Sequence, residues 1–402
     1  MLERFRQLLL SCRQELADLT ADLIAIPTEN PPGRRYLTCL ELIGHRLDAL
    51  GLGYRIEPVP GGDSDADHPR HWLRCDWGES GPAVCFHGHV DVVPAQDPAQ
   101  FIPRVTEDTI FGRGSADMKG GLVAMIYAMY ALKESGVRLR GRVALRVVPD
   151  EETGGALGSR ALAGSGLLFD KDTVAMLTAE PTGGVVWHAA RGAITCRITV
   201  KGRPAHVGLQ YRGINAFEQA LRVAGALGQL KREVEQRKTD YPIAPDAARN
   251  SILMMGGEVT GGANFNLVPE RFTFSVDRRI NPEEDFDSEK RRLIETIEGM
   301  RQHGVDLDLK IIQEARPAGV PADHAAARTL ARCIAEVHGE VARFELCPGI
   351  LETRFYAEAG IPAFACGPGL LTVAHGPKEF IKRKEMEDCA IVYALTGARL
   401  LQ

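Results

Sequence analysis

The chain is expected to adopt an α/β fold: a mixed, mostly parallel sheet with helices on both faces, plus an inserted two-layer α+β domain. Three observations point there. The apolar, β-rich runs Ala83 to Phe86, Arg142 to Val148 and Val174 to Leu177 each end in acidic or imidazole side chains, and helical segments lie between them. Strands that alternate with helices favour a parallel sheet whose functional groups collect at the strand ends. From about Ala190 the pattern changes to a β-α-β-β-α-β order, that of a small two-layer domain with antiparallel strands. After about residue 310 the alternation of helices with buried strands resumes. The expected boundaries are therefore residues 1–189 with 310–402 for the larger domain, and 190–309 for the insert.

The elements follow in order. Leu2, Phe5, Leu8, Leu9, Leu16, Leu19, Leu23 and Ile24 recur at near-helical spacing, and the pattern stops at Pro27, with Pro31, Pro32 and Gly33 beyond it. A second helix spans about Tyr36 to Leu50, and a strand from Tyr54 to Val59 leads into a polar loop. His68 and His71 are placed in that loop beside Asp63, Asp65 and Asp67, where a solvated surface outweighs a metal site. Leu122 to about Glu134 is apolar nearly all round, the pattern of a helix buried between layers. In the insert, AITCRITVKG alternates as a half-exposed strand. Ile214 to Arg232 reads as an amphipathic helix, Ser251 to Met255 and Arg271 to Val276 as strands, and Ser288 to His303 as a charged helix. The returning segment carries a helix from Ala325 to His338, a strand from Ile361 to Cys366 and a closing helix from Lys384 to Leu401.

Composition narrows the function. With 402 residues, 45% of them apolar, the chain can bury a core in each of two domains. Lys plus Arg number 48 against 53 Asp plus Glu, a net charge of -5 without a long block of either sign, so neither a nucleic-acid footprint nor a polybasic membrane patch is expected. The longest apolar stretch, Leu122 to Leu132, is too short to span a bilayer, and the first residues lack the pattern of a secretory signal. The nine cysteines are scattered, odd in number and free of CxxC pairs, which suits reduced thiols in a cytoplasm. The glycines around Asp117 match neither phosphate-binding fingerprint, so nucleotide binding is set aside.

The chemistry gathers at the strand ends. The first run delivers His87 and His89, with Asp91 two residues on, and a metal-bound imidazole normally shares its second nitrogen with such a carboxylate. The other two deliver Glu151 with Glu152, and Glu180. Asp117 lies in the glycine-rich turn between, and His375 in the closing segment. Singly, each residue is as readily a capping or solvated group. Together on one rim the carboxylates would repel one another unless cations neutralised them. Two divalent ions satisfy the set, with His89, Glu180 and Asp117 on one and His375, Glu152 and Asp117 on the other. Each ion then has three protein ligands and an open position, the arrangement of catalytic sites. Zinc is the first expectation, and cobalt and manganese suit the same donors. Glu151, left over beside a ligand, is the natural general base for a metal-activated water.

The stretches IPTENPPG, HGHVDVVP, GRGSADMKGG, DEETGG, AEPT, RPAHVG, NLVP and AHGPKEF, in this order, resemble the M20 metallopeptidase family over about residues 25–380. The resemblance implies the metal scheme above, with Asp91 orienting His89, Asp117 bridging the ions and Glu151 as base, and a cis peptide after Asp117. It also implies that the inserted domain is a lid that forms a homodimer. His206 in RPAHVG would stabilise the oxyanion of the reaction, and Asn266, Arg279 and Arg354 would bind substrate. Family members hydrolyse amide bonds of N-acyl amino acids, releasing a carboxylate and an amine, or act as dipeptidases and glutamate-type carboxypeptidases on the same scaffold. One segment departs from many relatives: Gly349 to Tyr356 reads GILETRFY, so Ile350 and Leu351 replace small polar residues and Glu352 stands where Asp is usual.

Overall fold

The computed structural model describes residues 1–62 and 67–402. Asp63 and Asp65, and with them the surface metal site weighed for the polar loop, lie outside the described residues. The chain divides into two compact units. One comprises Met1–His188, Val320–Glu345 and Phe355–Gln402, the other Ala189–Gly319 and Leu346–Arg354.

The first unit is built on a mixed sheet. Its order runs Tyr54–Pro58, His71–Gly78, Arg142–Val148, Ala83–His89, Thr173–Pro181, Ala363–Gly367, Val186–Ala190. The four strands from Arg142–Val148 to Ala363–Gly367 are mutually parallel, and their outer neighbours run antiparallel. Alternation explains how the central strand is buried on both sides. Val84 and Phe86 face a large core formed with the helices Leu2–Ser11, Arg13–Ile24, Tyr36–Ala49, Gly120–Ser135, Ala325–His338 and Arg383–Leu400. Cys85 faces a smaller cluster with Met176, Leu162 and Tyr356 on the opposite side. Helices thus cover both faces unequally. The helix Gly120–Ser135 is buried nearly all round, as its composition predicts. It sits so close to the sheet that a Cβ on Gly121 would lie 2.5 Å from the Ala179 carbonyl oxygen.

Several elements differ from the sequence reading. The opening helix is two helices, broken at Cys12, whose φ of -101° and ψ of 8° leave the helical region. His71 begins a strand, HWLRCDWG, that pairs with both Tyr54–Pro58 and Arg142–Val148. A further small sheet of Arg104–Val105, Thr109–Phe111 and Phe380–Lys382 joins the glycine-rich turn to the closing segment.

The second unit has the β-α-β-β-α-β order expected. Its four-stranded antiparallel sheet runs Ile252–Gly261, Arg271–Ile280, Gly192–Lys201, Leu307–Ala315. The helices Ala216–Val234 and Phe286–Gln302 close a core around Ile194, Cys196, Ile198, Val276, Leu227 and Leu293. The strand Leu307–Ala315 runs whole within this sheet, so the unit continues past residue 309, and it also takes in Leu346–Arg354.

Candidate metal centre

Ordinary strand geometry brings the strand-end residues of the first unit together. His89 is the last residue of Ala83–His89, Glu180 the penultimate of Thr173–Pro181, and Glu151 opens the short 3-10 turn Glu151–Thr153 just past Arg142–Val148. These parallel neighbours end on one rim. Asp117 comes from the turn Ser115–Lys119, after Gly114 at φ 82°, a conformation that glycine adopts without strain. The Asp117–Met118 peptide is cis. Asp150 holds φ 72°, unusual for a residue with a side chain. Three hydrogen bonds keep it there: its carboxylate accepts from Thr153 Oγ1 at 2.9 Å, Leu157 N at 2.9 Å and Asn30 Nδ2 at 3.3 Å.

Two clusters of metal-competent atoms result, His89–Asp117–Glu180 and Asp117–Glu152–His375, with Asp117 in both. His89 Nε2 stands 3.2 Å from Asp117 Oδ1 and 3.8 Å from Glu180 Oε1. His375 Nε2 stands 3.2 Å from Asp117 Oδ2 and 3.2 Å from Glu152 Oε2. A tetrahedral ion with bonds of about 2.0 to 2.2 Å would hold its ligand atoms roughly 3.3 to 3.6 Å apart, so these spacings fit a cation between the atoms. His89 Nε2 and Glu152 Oε1 are buried and make no hydrogen bond among the described residues, as expected of atoms reserved for a metal. The donor set of two imidazoles and three carboxylates therefore fits a pair of divalent ions.

The charges agree with the spacings. Burial favours a neutral His89, but the carboxylates of Asp117 and Asp91 outweigh it and hold the imidazole well above its ordinary range. Hydrogen bonds to Asp117 and Glu152 raise His375 to about 10. Burial opposes ionisation of Asp117, yet His375 and His89 together pull its carboxyl far below the usual range. Glu152 is raised by burial and by the neighbouring Asp117. The four directions agree: the gathered carboxylates favour positive charge at this spot, the charge that cations would supply.

Asp91 does more than the sequence suggested. His89 Nδ1 lies 3.0 Å from the main-chain oxygen of Asp91, nearer than the carboxylate at 3.5 Å. That leaves the carboxylate to accept from Asn30 Nδ2 at 2.9 Å, Glu151 N at 3.2 Å and Glu152 N at 3.0 Å. One residue therefore orients His89 and tethers the turn carrying Glu151 and Glu152. His87 belongs to neither cluster; its Nδ1 lies 3.0 Å from the Tyr356 hydroxyl, beneath the rim. Sequence reasoning missed Asn30, which bonds Asp91, Asp150 and Thr153. The only signal for it was its place in IPTENPPG.

The remaining residues expected to act on substrate lie in the second unit. His206 is exposed, and its Nδ1 accepts from Gly208 N at 3.1 Å. Asn266 is its neighbour across the backbone, with Val207 N donating to Asn266 O at 2.9 Å. Arg279 Nε donates to Asp277 Oδ2 at 2.8 Å, an ion pair along the face of its strand. Arg354 is buried and turned inward, Nη1 donating to Leu351 O at 2.8 Å.

A mainly parallel sheet that presents two imidazole–carboxylate clusters sharing one aspartate is the framework of a metal-dependent hydrolase. A model of Peptidase family M20/M25/M40 matches residues 85–398, and the chain belongs to that family. It is an enzyme that hydrolyses amide bonds. Among curated relatives, a probable succinyl-diaminopimelate desuccinylase of Staphylococcus epidermidis is 27% identical over 397 residues, covering 93% of this chain and 94% of the relative. A solved tripeptidase of Staphylococcus aureus superposes with a TM-score of 0.78 at 18% identity, over 97% of this chain and 98% of that one. A Bacillus subtilis structure described as a dinuclear metal binding peptidase gives 0.69 at 15% identity, over 97% and 99%. Among the described residues no helix is long and apolar enough to cross a membrane.

Proposed function

We propose that the protein is a dinuclear deacylase of N-acyl amino acids, most fitted to zinc, with His89, Asp117 and Glu180 holding one ion and Asp117, Glu152 and His375 the other. The observation that carries the reading is the pair of ligand clusters joined through Asp117, with Glu151 beside them and in neither. When bound, the cations supply Lewis acidity, polarising the amide carbonyl and acidifying a water toward a pKa of about 7.

The protein's own groups do the rest. Glu151 takes the proton of the attacking water and passes it to the leaving amine, and Asp91 fixes the turn from which Glu151 acts. With its Nδ1 accepting from Gly208 N, His206 is left with Nε2 to donate to the developing oxyanion. Arg279, its Nε held by Asp277, offers its outer guanidinium nitrogens to the amino acid carboxylate, and Asn266 binds alongside. Arg354, anchored by Nη1 donating to Leu351 O, completes the substrate-binding set from the segment Gly349 to Arg354. The exposed Val207, Leu209, Tyr211, Ile214, Phe217 and Leu221 of the second unit support a homodimer formed through it. Nine cysteines, none of them in a disulfide among the described residues, suit a reducing compartment such as the cytoplasm.

The desuccinylase name of the relative favours an acylated amino acid as substrate. The test is amine release by zinc-loaded protein from N-acetyl and N-succinyl amino acids, set against dipeptides and C-terminal glutamate peptides. Turnover is expected to be at least tenfold better on the acylated amino acids. Preference for dipeptides or for C-terminal glutamate would replace this reading with a peptidase on the same scaffold.

A further inference from the structure

Glu379 stands four residues beyond His375, 2% exposed, and belongs to neither ligand cluster. Its carboxylate is nonetheless saturated by the turn that carries the shared ligand. Oε2 accepts from Arg113 Nη1 at 2.7 Å and Gly114 N at 3.0 Å, and Oε1 from Ala116 N at 2.9 Å and Asp117 N at 3.1 Å. Successive main-chain N–H groups converging on one anion form a nest, here filled by a side chain of the protein itself. The backbone joins in: Gly112 N donates to Glu379 O at 3.1 Å, in register with the pairing of Phe380 and Phe111. The other arm of Arg113 reaches the second ligand, Nη2 donating to His375 O at 3.1 Å. Arg113 and Glu379, each with a side chain 1% exposed, thus tie the Asp117 turn to the His375 loop.

The two clusters depend on this tie unequally. His89 and Glu180 are carried by strands of the main sheet, so the first cluster meets the clamp through Asp117 alone, whereas the second meets it through both Asp117 and His375. His375 sits in a loop at φ 62° with its side chain half exposed; besides Arg113, the loop is held by Gln100 Nε2 donating to Gly376 O at 3.1 Å and by short-range main-chain bonds, Gly376 N to Val373 O at 3.1 Å and Ala374 N to Leu370 O at 3.3 Å.

We infer that Arg113 and Glu379 are positioning residues, a buried clamp that sets the spacing of Asp117 and His375 and thereby the affinity of the Asp117–Glu152–His375 cation site in particular. The inference rests on the two-cation reading above. Both oxygens of Glu379 accept main-chain N–H groups, so Glu379→Gln must turn an N–H donor against another and displace the turn. Arg113→Lys keeps the charge but replaces a planar fork with a single ammonium, so the bridge from Glu379 to His375 O is lost.

The experiment is zinc titration of chelator-stripped, full-length protein, read by calorimetry and by competition with a chromophoric chelator. Glu387→Gln serves as control, because Glu387 is another buried carboxylate in an ion pair, 2.7 Å from Arg13 and away from both clusters. Wild type is expected to take up two ions. Glu379→Gln and Arg113→Lys should weaken the second ion about 10- to 100-fold, the usual effect of losing a partner that orients a ligand, and the first by a clearly smaller factor, because the first shares only Asp117 with the clamp. Glu387→Gln should bind both as wild type does, even if its melting temperature falls. Should Glu379→Gln fail to accumulate, Arg113→Lys carries the same expectation alone. Both ions bound with wild-type affinity by the folded clamp variants, or both weakened equally, would overturn the clamp. A wild-type protein that takes up fewer than two ions overturns the two-cation reading, and the clamp with it.

Discussion

Glu151 and Glu152 are sequence neighbours with opposite duties in the proposed reaction, and the turn Glu151–Thr153 separates them. Asp91 holds the main-chain N–H of both, while only Glu152 reaches the His375 cluster. Removing Glu151 should therefore spare the metals: Glu151→Ala is expected to lose about 10²- to 10⁴-fold in kcat while still binding two zinc ions. Metal loss in that variant would mean that Glu151 is a ligand. The imidazoles give a second prediction. Because the neighbouring carboxylates raise His375 to about 10 and hold His89 above its ordinary range, cations compete with protons for these imidazoles. Zinc binding should release protons, measurable as a dependence of calorimetric heat on buffer ionisation enthalpy, and affinity should fall as pH is lowered. Pairing of strand-end residues was legible at this scale because His89, Glu152 and Glu180 each follow an apolar run. Asn30 and Glu379 were not, since an Asn in a proline-rich turn and a Glu beside Lys378 look like solvated groups until the fold buries them.

At the scale of elements, the site depends on how closely the helix Gly120–Ser135 approaches the strand that carries Glu180. Gly121→Ala would drive a methyl against the Ala179 carbonyl, a main-chain atom that cannot swing aside. Overpacking of this kind costs about 1 to 3 kcal/mol, so urea unfolding should shift to lower midpoint with an unchanged slope. An unshifted midpoint would mean that the helix and strand lie further apart. The main elements of both units could be read from periodicity, and the helix Ala325–His338 matches residue for residue. The strand His71–Gly78 could not. Leu73, Cys75 and Trp77 do alternate with Arg74 and Asp76, but the run follows directly on a polar loop whose charged residues and His71 mask where it begins. The short strands Arg104–Val105 and Phe380–Lys382 carry too few residues to show a period.

At the scale of the molecule, both units bury ion pairs, Arg113 with Glu379 in the first and a larger network in the second. The second unit buries an ionic network in which Arg278 Nη2 donates to Glu284 at 2.7 Å and to Glu289 at 2.8 Å, while Arg237 bonds the same two carboxylates. Burial opposes the charge on Glu284, but the Ser251 hydroxyl and Arg278 prevail and its carboxyl is lowered. A lowered carboxyl stabilises the fold above the unfolded value of about 4.3 and loses that contribution as pH falls through the folded value. The second unit should therefore lose stability below about pH 4.5, and Glu284→Gln should flatten that slope in thermal melts taken across pH 3 to 6. An unaltered slope would mean that Glu284 does not carry the acid response. Membership of Leu346–Arg354 in this unit escaped sequence reasoning because it depends on pairing remote in the chain, such as Leu346 N donating to Pro242 O.

One aspartate shared between two imidazole–carboxylate clusters defines the dinuclear hydrolytic site proposed for this protein. It is tested most directly by stripping the protein with a chelator and following hydrolysis of an N-acyl amino acid as zinc is restored. No turnover is expected in the stripped protein, and recovery should reach its plateau at about two ions per chain. Turnover that survives the chelator, or that saturates at a single ion, would contradict it.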